Sequence, residues 1–246
     1  MIMMALLWLI SIRLRNVSIV DLFWGFGFLL VSLWGYIQSG GLAERKMLVL
    51  ILVVLWSLRL SLYLAWRNLG KGEDFRYKQF RKQYGENRYW WISFFQTFLL
   101  QGILMWLISS TLLAAQHFGP DRELGWLDFT GVALWIIGLT FEAGGDYQLA
   151  KFRADPASKG KVLQTGFWRY TRHPNYFGDA AVWWGYGLLC LAAGSYPAVL
   201  GSLLMTGLII KISGVALLEK ALKSNKPGYE EYVRKTSAFF PWFPRK

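Results

Sequence analysis

The sequence predicts an all-α fold, a polytopic transmembrane bundle of about seven helices. Three observations support this prediction. Charged residues make up 17% of the chain, below the roughly 25% that is usual in soluble domains. Several apolar runs reach about 20 residues, which is enough to cross a hydrocarbon core of roughly 30 Å. These runs lack the alternation of apolar and polar residues that is typical of transmembrane strands.

The predicted spans are separated by polar or turn-forming segments and lie at 1–12, 17–37, 47–66, 92–115, 126–150, 176–194 and 196–218. If successive loops alternate sides, one face receives 22 of the 27 Lys and Arg residues. Because loops rich in Lys and Arg remain in the cytoplasm, this asymmetry predicts an N-terminus outside and a C-terminus in the cytoplasm. We expect an integral, multi-pass protein of a bacterial inner membrane.

The net charge of +12 therefore has a topogenic origin. It indicates attraction to anionic membrane lipid, and nucleic acid is not an expected partner. The single cysteine, Cys190, lies in an apolar run, so that neither a disulfide framework nor a cysteine-based zinc site is expected.

Polar side chains recur near the cytoplasmic ends of the predicted spans, although ionisable groups inside a membrane are costly. The set comprises Asp21, Arg59, Tyr63, Arg67, Glu142, Asp146, Arg153 and Lys211. Snorkelling side chains and interhelical hydrogen bonds are one interpretation. A polar cavity open to the cytoplasm is the other, and we favour it because the outer halves of the spans lack such groups. The same asymmetry disfavours a transporter.

Two basic segments, 67–88 and 151–176, flank the mouth of this predicted cavity. Arg and Lys mixed with aromatic residues and Gly suit an anionic ligand that carries a planar ring, such as a phosphorylated nucleotide. Neither a Walker nor a Rossmann phosphate-binding motif is present, so the site would be of another kind. Alternatively, both segments lie on lipid headgroups.

The stretch "TRHPNYFGD", residues 171–179, opens an apolar run. Pro174 suits the first turn of a helix, where its missing N–H breaks no intrahelical bond. The free N–H groups of that turn can hold an anion. Asn175 and Asp179 are four residues apart and share a helical face. The stretch therefore predicts the rim of a nucleotide pocket.

Longer motifs around this stretch carry a resemblance to a known family. "QTGFWRYTRHPNYFGD" resembles the motif shared by membrane steroid 5-alpha reductases, sterol C14 reductases and isoprenylcysteine carboxyl methyltransferases. "GGDYQLAKFRADP" resembles a segment of the sterol reductases, and the tail "PGYEEYVRKTSAFFPWFPRK" resembles the Tyr-rich end of the family. The chain is identified as a bacterial-type member of the steroid 5-alpha reductase-like group, often labelled a domain of unknown function.

The resemblance implies a single membrane domain over 1–246, with substrate-side helices in 1–120 and a cofactor-binding half in 121–246. It implies NADPH as cofactor and an activated C=C bond (an enone) of a lipophilic steroid- or isoprenoid-like substrate as the reducible group. The implied NADPH-binding residues are Asp146, Arg153, Tyr170, Arg172, His173, Asn175 and Asp179.

Two further residues are predicted to be catalytic. A Glu on the second span and a Tyr on the third hold the substrate carbonyl in the steroid enzymes, and Asp21 and Tyr63 lie on the corresponding spans. We expect Tyr63, polarised by Asp21 or an Arg, to donate a hydrogen bond to the carbonyl oxygen as it becomes an enolate. Asp21 itself is the alternative donor, should burial in the bilayer raise its pKa.

The methyltransferase relatives provide the main alternative function, a membrane methyltransferase that uses S-adenosylmethionine. Those enzymes carry paired Glu residues near the last span, whereas this chain has Glu219 followed by Lys220. This departure, together with Asp146 and Arg153, favours NADPH. A lipid-binding or scaffolding membrane protein without enzymatic activity is the third possibility.

Overall fold

The computed structural model of the chain describes residues 1–40, 43–118, 123–213 and 228–245. The chain divides into two compact units, Met1–Arg122 and Glu123–Lys246. In the described part, regular structure is helical, and the nearest approach to a strand is an isolated bridge between Thr171 and Ser237. The all-helical prediction is therefore confirmed.

The described part of the first unit is built from short and long helices. They are α1 (Ile2–Leu14), α2 (Ile19–Leu22), α3 (Trp24–Gln38), α4 (Glu44–Asn68), α5 (Phe75–Tyr84), α6 (Glu86–Ser93) and α7 (Leu100–His117). Of these, α5 is polar and basic. A π-helical segment, Phe94–Leu99, joins α6 to α7, so that Glu86–His117 forms one long apolar helix.

The core of this unit lies where α3, α4 and α7 meet. Phe28 and Trp56 are fully buried there, with ring centroids 5.9 Å apart. One polar contact crosses the same core, since Gln116 Nε2 donates to Ser32 Oγ at 3.2 Å. Because a buried amide needs a partner, this hydrogen bond fixes the register of α7 against α3.

In its described residues, the second unit has two long helices followed by shorter elements. They are α8 (Trp126–Ala154), α9 (Pro174–Ala192), α10 (Leu200–Gly207) and α11 (Tyr229–Lys235). Two 3₁₀ turns, Pro156–Ser158 and Gly166–Arg169, lie in the segment between α8 and α9. Trp135 of α8 donates through Nε1 to the buried hydroxyl of Tyr186 on α9 at 3.0 Å.

Glycines let the backbones of α8 and α9 touch. Gly138 and Gly145 of α8 are spaced by seven residues, as are Gly178 and Gly185 of α9. A methyl group at Gly178 would lie 2.3 Å from the backbone N of Glu142, and one at Gly138 would lie 2.5 Å from the backbone N of Val182. Small residues are the usual means by which membrane helices approach so closely. We call this contact the glycine seam.

Among the residues that the structure describes, three helices are long and apolar enough to cross a membrane: α4, Glu86–His117 and α8. Only 28% of the apolar stretch of α4 is buried inside the structure, and the share for α8 is the same. Apolar faces left uncovered on this scale suit a lipid environment.

The remaining predicted spans differ in how well they match single helices. The span predicted over 17–37 is divided between α2 and α3. The one predicted over 196–218 begins as the shorter apolar helix Pro197–Lys211, and its residues 214–218 lie outside the described part.

Candidate functional site

A hydrogen bond joins two of the predicted cofactor residues, Asp146 on α8 and Asn175 on α9. Asn175 Nδ2 donates to Asp146 Oδ1 at 3.0 Å, and the Asp146 side chain is buried. Gly145 brings the helices together at this level, since a methyl group there would lie 3.1 Å from the backbone N of Asn175. The glycine seam thus places a carboxylate and an amide side by side at the start of α9.

The segment that precedes α9 is fastened to the end of α8. Trp168 Nε1 donates to the carbonyl oxygen of Gly145 at 3.0 Å, and the backbone N of Phe167 donates to Gln148 Oε1 at 2.9 Å. Gly166 has φ 60°, a backbone conformation that L side chains rarely adopt, and a methyl group there would displace the Gln148 side chain, whose Nε2 would lie 2.4 Å away. The two motifs noted in the sequence therefore form one contiguous structure.

The C-terminal tail, residues 228–245, holds the same segment from another direction. The Arg172 guanidinium donates to the carbonyl oxygens of Val233, at 3.1 Å, and of Thr236. The backbone N of Arg172 donates to the Ser237 carbonyl at 2.9 Å, and Thr171 Oγ1 donates to that of Phe239 at 2.8 Å. Arg172 is buried and binds the tail, whatever further role it has.

Three other predicted cofactor residues lie close to this junction. His173 is buried at the N-cap of α9 and stacks on Tyr176, with ring centroids 5.6 Å apart. The Tyr170 ring contacts Phe243 of the tail edge-on, with centroids 6.0 Å apart. Asp179 is partly buried on α9, one turn beyond Asn175.

Arg153 lies apart from these residues, in the exposed last turn of α8. Seven residues separate it from Asp146, which corresponds to about 10.5 Å along a helix. It lines a cavity of about 360 Å³ together with Asp155, Lys159 and Gly160. Arg153 and Lys159 outnumber Asp155 in this lining, and Gly160, which has no side chain, leaves the backbone accessible. The cavity therefore suits a phosphate group.

These residues are chemically compatible with a dinucleotide. The cavity at the end of α8 offers Arg153 and Lys159 for phosphates, and the Asp146–Asn175 pair offers a buried carboxylate and an amide for polar ring substituents. No three His, Cys, Asp or Glu side chains converge as metal ligands among the residues that the structure describes. Glu219 and Lys220, which bear on the methyltransferase alternative, lie outside those residues.

In the first unit, Asp21 is bonded to helix α5. Its carboxylate accepts from Arg76 Nη2 and from the Tyr77 hydroxyl, each at 2.8 Å. Gln101 Nε2 lies 3.5 Å from the same hydroxyl. Burial, and then the charge of Asp21, raise the pKa of Tyr77 well above its ordinary value of 10.0. Tyr77 is therefore a neutral hydrogen-bond donor at physiological pH.

The loop before α5 is tied to the start of α2. Glu73 accepts from the backbone N of Val17 at 2.9 Å and forms two hydrogen bonds with Arg81, at 2.8 and 3.0 Å. Asp74 caps α5 by accepting from the backbone N of Arg76. Burial favours its neutral form, but the hydrogen bonds from Arg76 prevail and lower the pKa of Asp74.

Tyr63, the predicted donor, lies on α4 between two arginines. The Arg59 and Arg67 guanidinium carbons are 5.3 and 5.6 Å from the centroid of its ring. The described hydrogen bonds of Asp21 thus run to α5 rather than to Tyr63. The catalytic assignment of Asp21 and Tyr63 stays a prediction.

Sequence reasoning missed several residues that shape the site. In the sequence, Tyr77 falls within a basic segment and has no predicted partner, and the tail carries a family resemblance but no predicted contact with residues 170–172. Tyr77 lies in the sequence "EDFRYKQFR" and is buried on α5. The amphipathic periodicity of this stretch could have predicted that burial. Hydrogen bonds from the Arg172 guanidinium to backbone carbonyls more than 60 positions away leave no such signal.

A family described as "Protein of unknown function (DUF1295)" matches residues 7–236. An uncharacterized protein of Schizosaccharomyces pombe is 26% identical over 260 residues, covering 96% of this chain and 75% of that protein. No solved structure matches the chain.

Two relatives with named activities match shorter stretches. The 3-oxo-5-alpha-steroid 4-dehydrogenase 1 of Bos taurus is 36% identical over 59 residues, covering 24% of this chain and 23% of its own length. The Delta(14)-sterol reductase of Ascobolus immersus is 32% identical over 111 residues, covering 39% of this chain and 25% of its own. The chain thus spans about a quarter of these two enzymes, and the predicted likeness to a steroid 5-alpha reductase-like family is confirmed.

Proposed function

The chain belongs to the DUF1295 family, and we propose that it is a membrane oxidoreductase that uses NADPH to reduce an activated C=C bond of a lipophilic, steroid- or isoprenoid-like substrate. Partial similarity to a steroid dehydrogenase and a sterol reductase supports the reaction class. In our proposal the chain crosses a bacterial inner membrane about seven times, with the N-terminus outside and the cofactor residues facing the cytoplasm.

The observation that carries the proposal is the hydrogen bond between Asp146 and Asn175. The two residues belong to separate motifs, 29 positions apart, and the sequence resemblance implicated both in NADPH binding. A buried carboxylate costs free energy unless it is paired or hydrogen-bonded. Its pairing with the side chain of another implicated residue supports a shared role in binding a ligand.

When bound, NADPH supplies a hydride to the β-carbon of the enone. The residues of this chain would hold and orient it: Arg153 and Lys159 would contact phosphate oxygens, and Asp146, Asn175 and Asp179 would contact polar ring groups. Arg172, His173 and Tyr170 would act mainly by fixing the segment that carries Asn175, because their contacts run to the tail and to α9.

The carbonyl oxygen gains negative charge as the hydride is transferred, and a hydrogen-bond donor must stabilise it. Tyr63 with Asp21 is the pair that the sequence predicts. The structure adds Tyr77, whose buried, neutral hydroxyl is already bonded to Asp21. In either case the donor's hydroxyl would bond to the enolate oxygen, and a proton from it or from water would complete the reduction.

Cofactor binding can be tested with two neighbouring cations of α8. Arg153 lines the cavity and Lys151 does not, although both are exposed. We expect Arg153→Gln to weaken NADPH binding by roughly 10- to 100-fold, because it removes a charge-assisted contact. Lys151→Gln is the matched control and should bind normally. Calorimetry on purified protein measures both, and S-adenosylmethionine is titrated in parallel.

Saturable binding of S-adenosylmethionine without binding of NADPH would overturn the proposal and favour the methyltransferase alternative. Binding of neither cofactor would favour a protein without enzymatic activity. If NADPH binds, its absorbance in the presence of a panel of steroidal and isoprenoid enones tests the reaction itself.

The donor can be identified with two conservative variants. Tyr77→Phe and Tyr63→Phe each remove one hydroxyl and keep the ring. Loss of an enolate-stabilising donor is expected to lower kcat by roughly 10²- to 10³-fold without changing NADPH affinity. The variant that shows this loss names the donor, and normal turnover in both would refute a tyrosine donor.

Topology is open to cysteine labelling, because Cys190 is buried. Glu123 and Lys71 are exposed and lie in loops that the proposal places on opposite sides. A membrane-impermeant reagent should label Glu123→Cys in intact cells and Lys71→Cys only after lysis. The reverse pattern would contradict the proposed orientation.

A further inference from the structure

The C-terminal tail encloses a second cavity that is distinct from the one at Arg153. Its volume is about 400 Å³. Its lining includes Arg172, Arg234, Lys235 and Arg245, together with the aromatic residues Phe240, Trp242 and Phe243. Four of the lining residues are cations and none is an acid. Glu231 pairs with Lys235 at 2.8 Å but does not line the cavity.

Backbone hydrogen bonds hold the chain in place on both sides of the cavity. The backbone N of Trp242 donates to the Tyr170 carbonyl at 2.9 Å, and that of Arg245 donates to the Lys235 carbonyl at 2.8 Å. Arg172 forms part of the wall and is only 7% exposed. The backbone that carries these cations is therefore held in place before any ligand arrives.

Aromatic side chains at the rim point to a membrane interface. Phe240, Trp242 and Phe243 are 70%, 72% and 75% exposed. Exposed aromatic rings beside Arg and Lys are typical of the headgroup level of a bilayer, where each ring lies among acyl carbonyls and each cation near a phosphate. Such rings would be unfavourable in open water.

The position of the cavity along α8 agrees with this interpretation. The tail is bonded to residues 170–172, which directly precede α9, and the first turn of α9 packs on Gly145. From Trp126 at the start of α8 to Gly145, the helix rises by about 28 Å, close to the roughly 30 Å of a hydrocarbon core. A span that enters the membrane at Trp126 therefore leaves it at the level of the tail.

We propose that this cavity binds the phosphate headgroup of an anionic phospholipid, with Arg234 and Arg245 as its principal contacts and Trp242 against the upper acyl chain. The proposal does not depend on the reductase activity. It assigns the tail two tasks: bracing the segment before α9 and docking that end of the protein to anionic lipid.

Native mass spectrometry of the full-length protein in detergent tests the proposal. Phosphatidylglycerol and phosphatidylcholine are titrated separately, and the bound fraction gives the affinity for each. We expect the wild type to retain phosphatidylglycerol preferentially. Arg234→Gln combined with Arg245→Gln should weaken that binding by roughly 30-fold, because each cation near an anionic lipid contributes about a factor of five.

Two further variants make the result specific. Arg234→Lys with Arg245→Lys keeps both charges and should retain most of the affinity. Lys78→Gln with Lys82→Gln removes two exposed charges from α5 and should leave it unchanged. An equal loss in the α5 variant, equal retention of the two lipids, or displacement of phosphatidylglycerol by NADPH would overturn the proposal. The last result would reassign the cavity to a nucleotide.

Discussion

The substitution Gly178→Ala is expected to disrupt the candidate site through the glycine seam. The added methyl group would lie 2.3 Å from the backbone N of Glu142 and 2.5 Å from the backbone O of Gly138. Both are main-chain atoms of α8, so no side chain can rotate away. Restoring an ordinary separation of 3.4 Å requires the helices to part by about 1 Å, and overpacking on this scale typically costs ~1–3 kcal/mol.

The same displacement should affect ligand binding, because Gly178 lies three residues after Asn175. The bond from Asn175 Nδ2 to Asp146 Oδ1 is 3.0 Å long. A parting of about 1 Å would lengthen it beyond the hydrogen-bonding range. We therefore expect Gly178→Ala to lower the apparent melting temperature by roughly 2–12 °C and to weaken NADPH binding as well.

Thermal unfolding of the detergent-purified protein measures the first effect and calorimetry the second. Gly207→Ala is the matched control, because Gly207 is helical and nothing lies within 4 Å of the added methyl group. At Gly187, also on α9, the added methyl group comes no nearer than 3.0 Å to another atom, the Ser202 Oγ, so Gly187→Ala should be milder than Gly178→Ala. A Gly178→Ala protein as stable as Gly207→Ala would refute the close approach of α8 and α9.

Three other predictions concern the contacts that hold the loops. Glu73→Gln removes a carboxylate whose side chain is 6% exposed and should cost ~1–3 kcal/mol of unfolding free energy, whereas Glu231→Gln on the surface should change the melting temperature little. The lowered pKa of Asp74 adds stability above its ordinary pKa of 3.8, and this stability is lost as the pH falls through the lower folded value. The melting temperature should therefore depend less on pH between pH 3 and 6 in Asp74→Asn than in the wild type. Arg172→Lys loses the planar guanidinium whose Nη1 donates to two tail carbonyls and should raise tryptic cleavage within 228–245 roughly tenfold, with Arg169→Lys unchanged.

The sequence was sufficient to predict an all-helical chain with membrane-length helices at α4, Glu86–His117 and α8, because apolar runs of about 20 residues leave few alternatives. It could not reveal the break between α2 and α3, since Phe23 is as apolar as its neighbours. The heptad spacing of Gly138 and Gly145 is visible in the sequence. Among 25 glycines, however, the spacing does not say which helix they face.

In the candidate site, too, local motifs could be predicted from the sequence, whereas long-range contacts could not. Asp146 and Asn175 were predicted from local motifs, and both lie where those motifs meet. The partners of Asp21 could not be predicted, because Arg76 and Tyr77 are 55 and 56 residues away in the sequence. Local pattern identifies residues with unusual chemistry, but their pairing depends on long-range packing that a single sequence does not encode in any simple period.

Three separate contacts converge on the segment that carries Asn175. The glycine seam fixes the start of α9, Trp168 and Phe167 attach the preceding turn to α8, and the tail holds Arg172. Ordering a loop on binding costs affinity, and here that cost is met during folding. Residues of the tail that never touch a cofactor should therefore alter its affinity, and the effect of tail variants on NADPH binding should follow the extent to which they release the segment before α9.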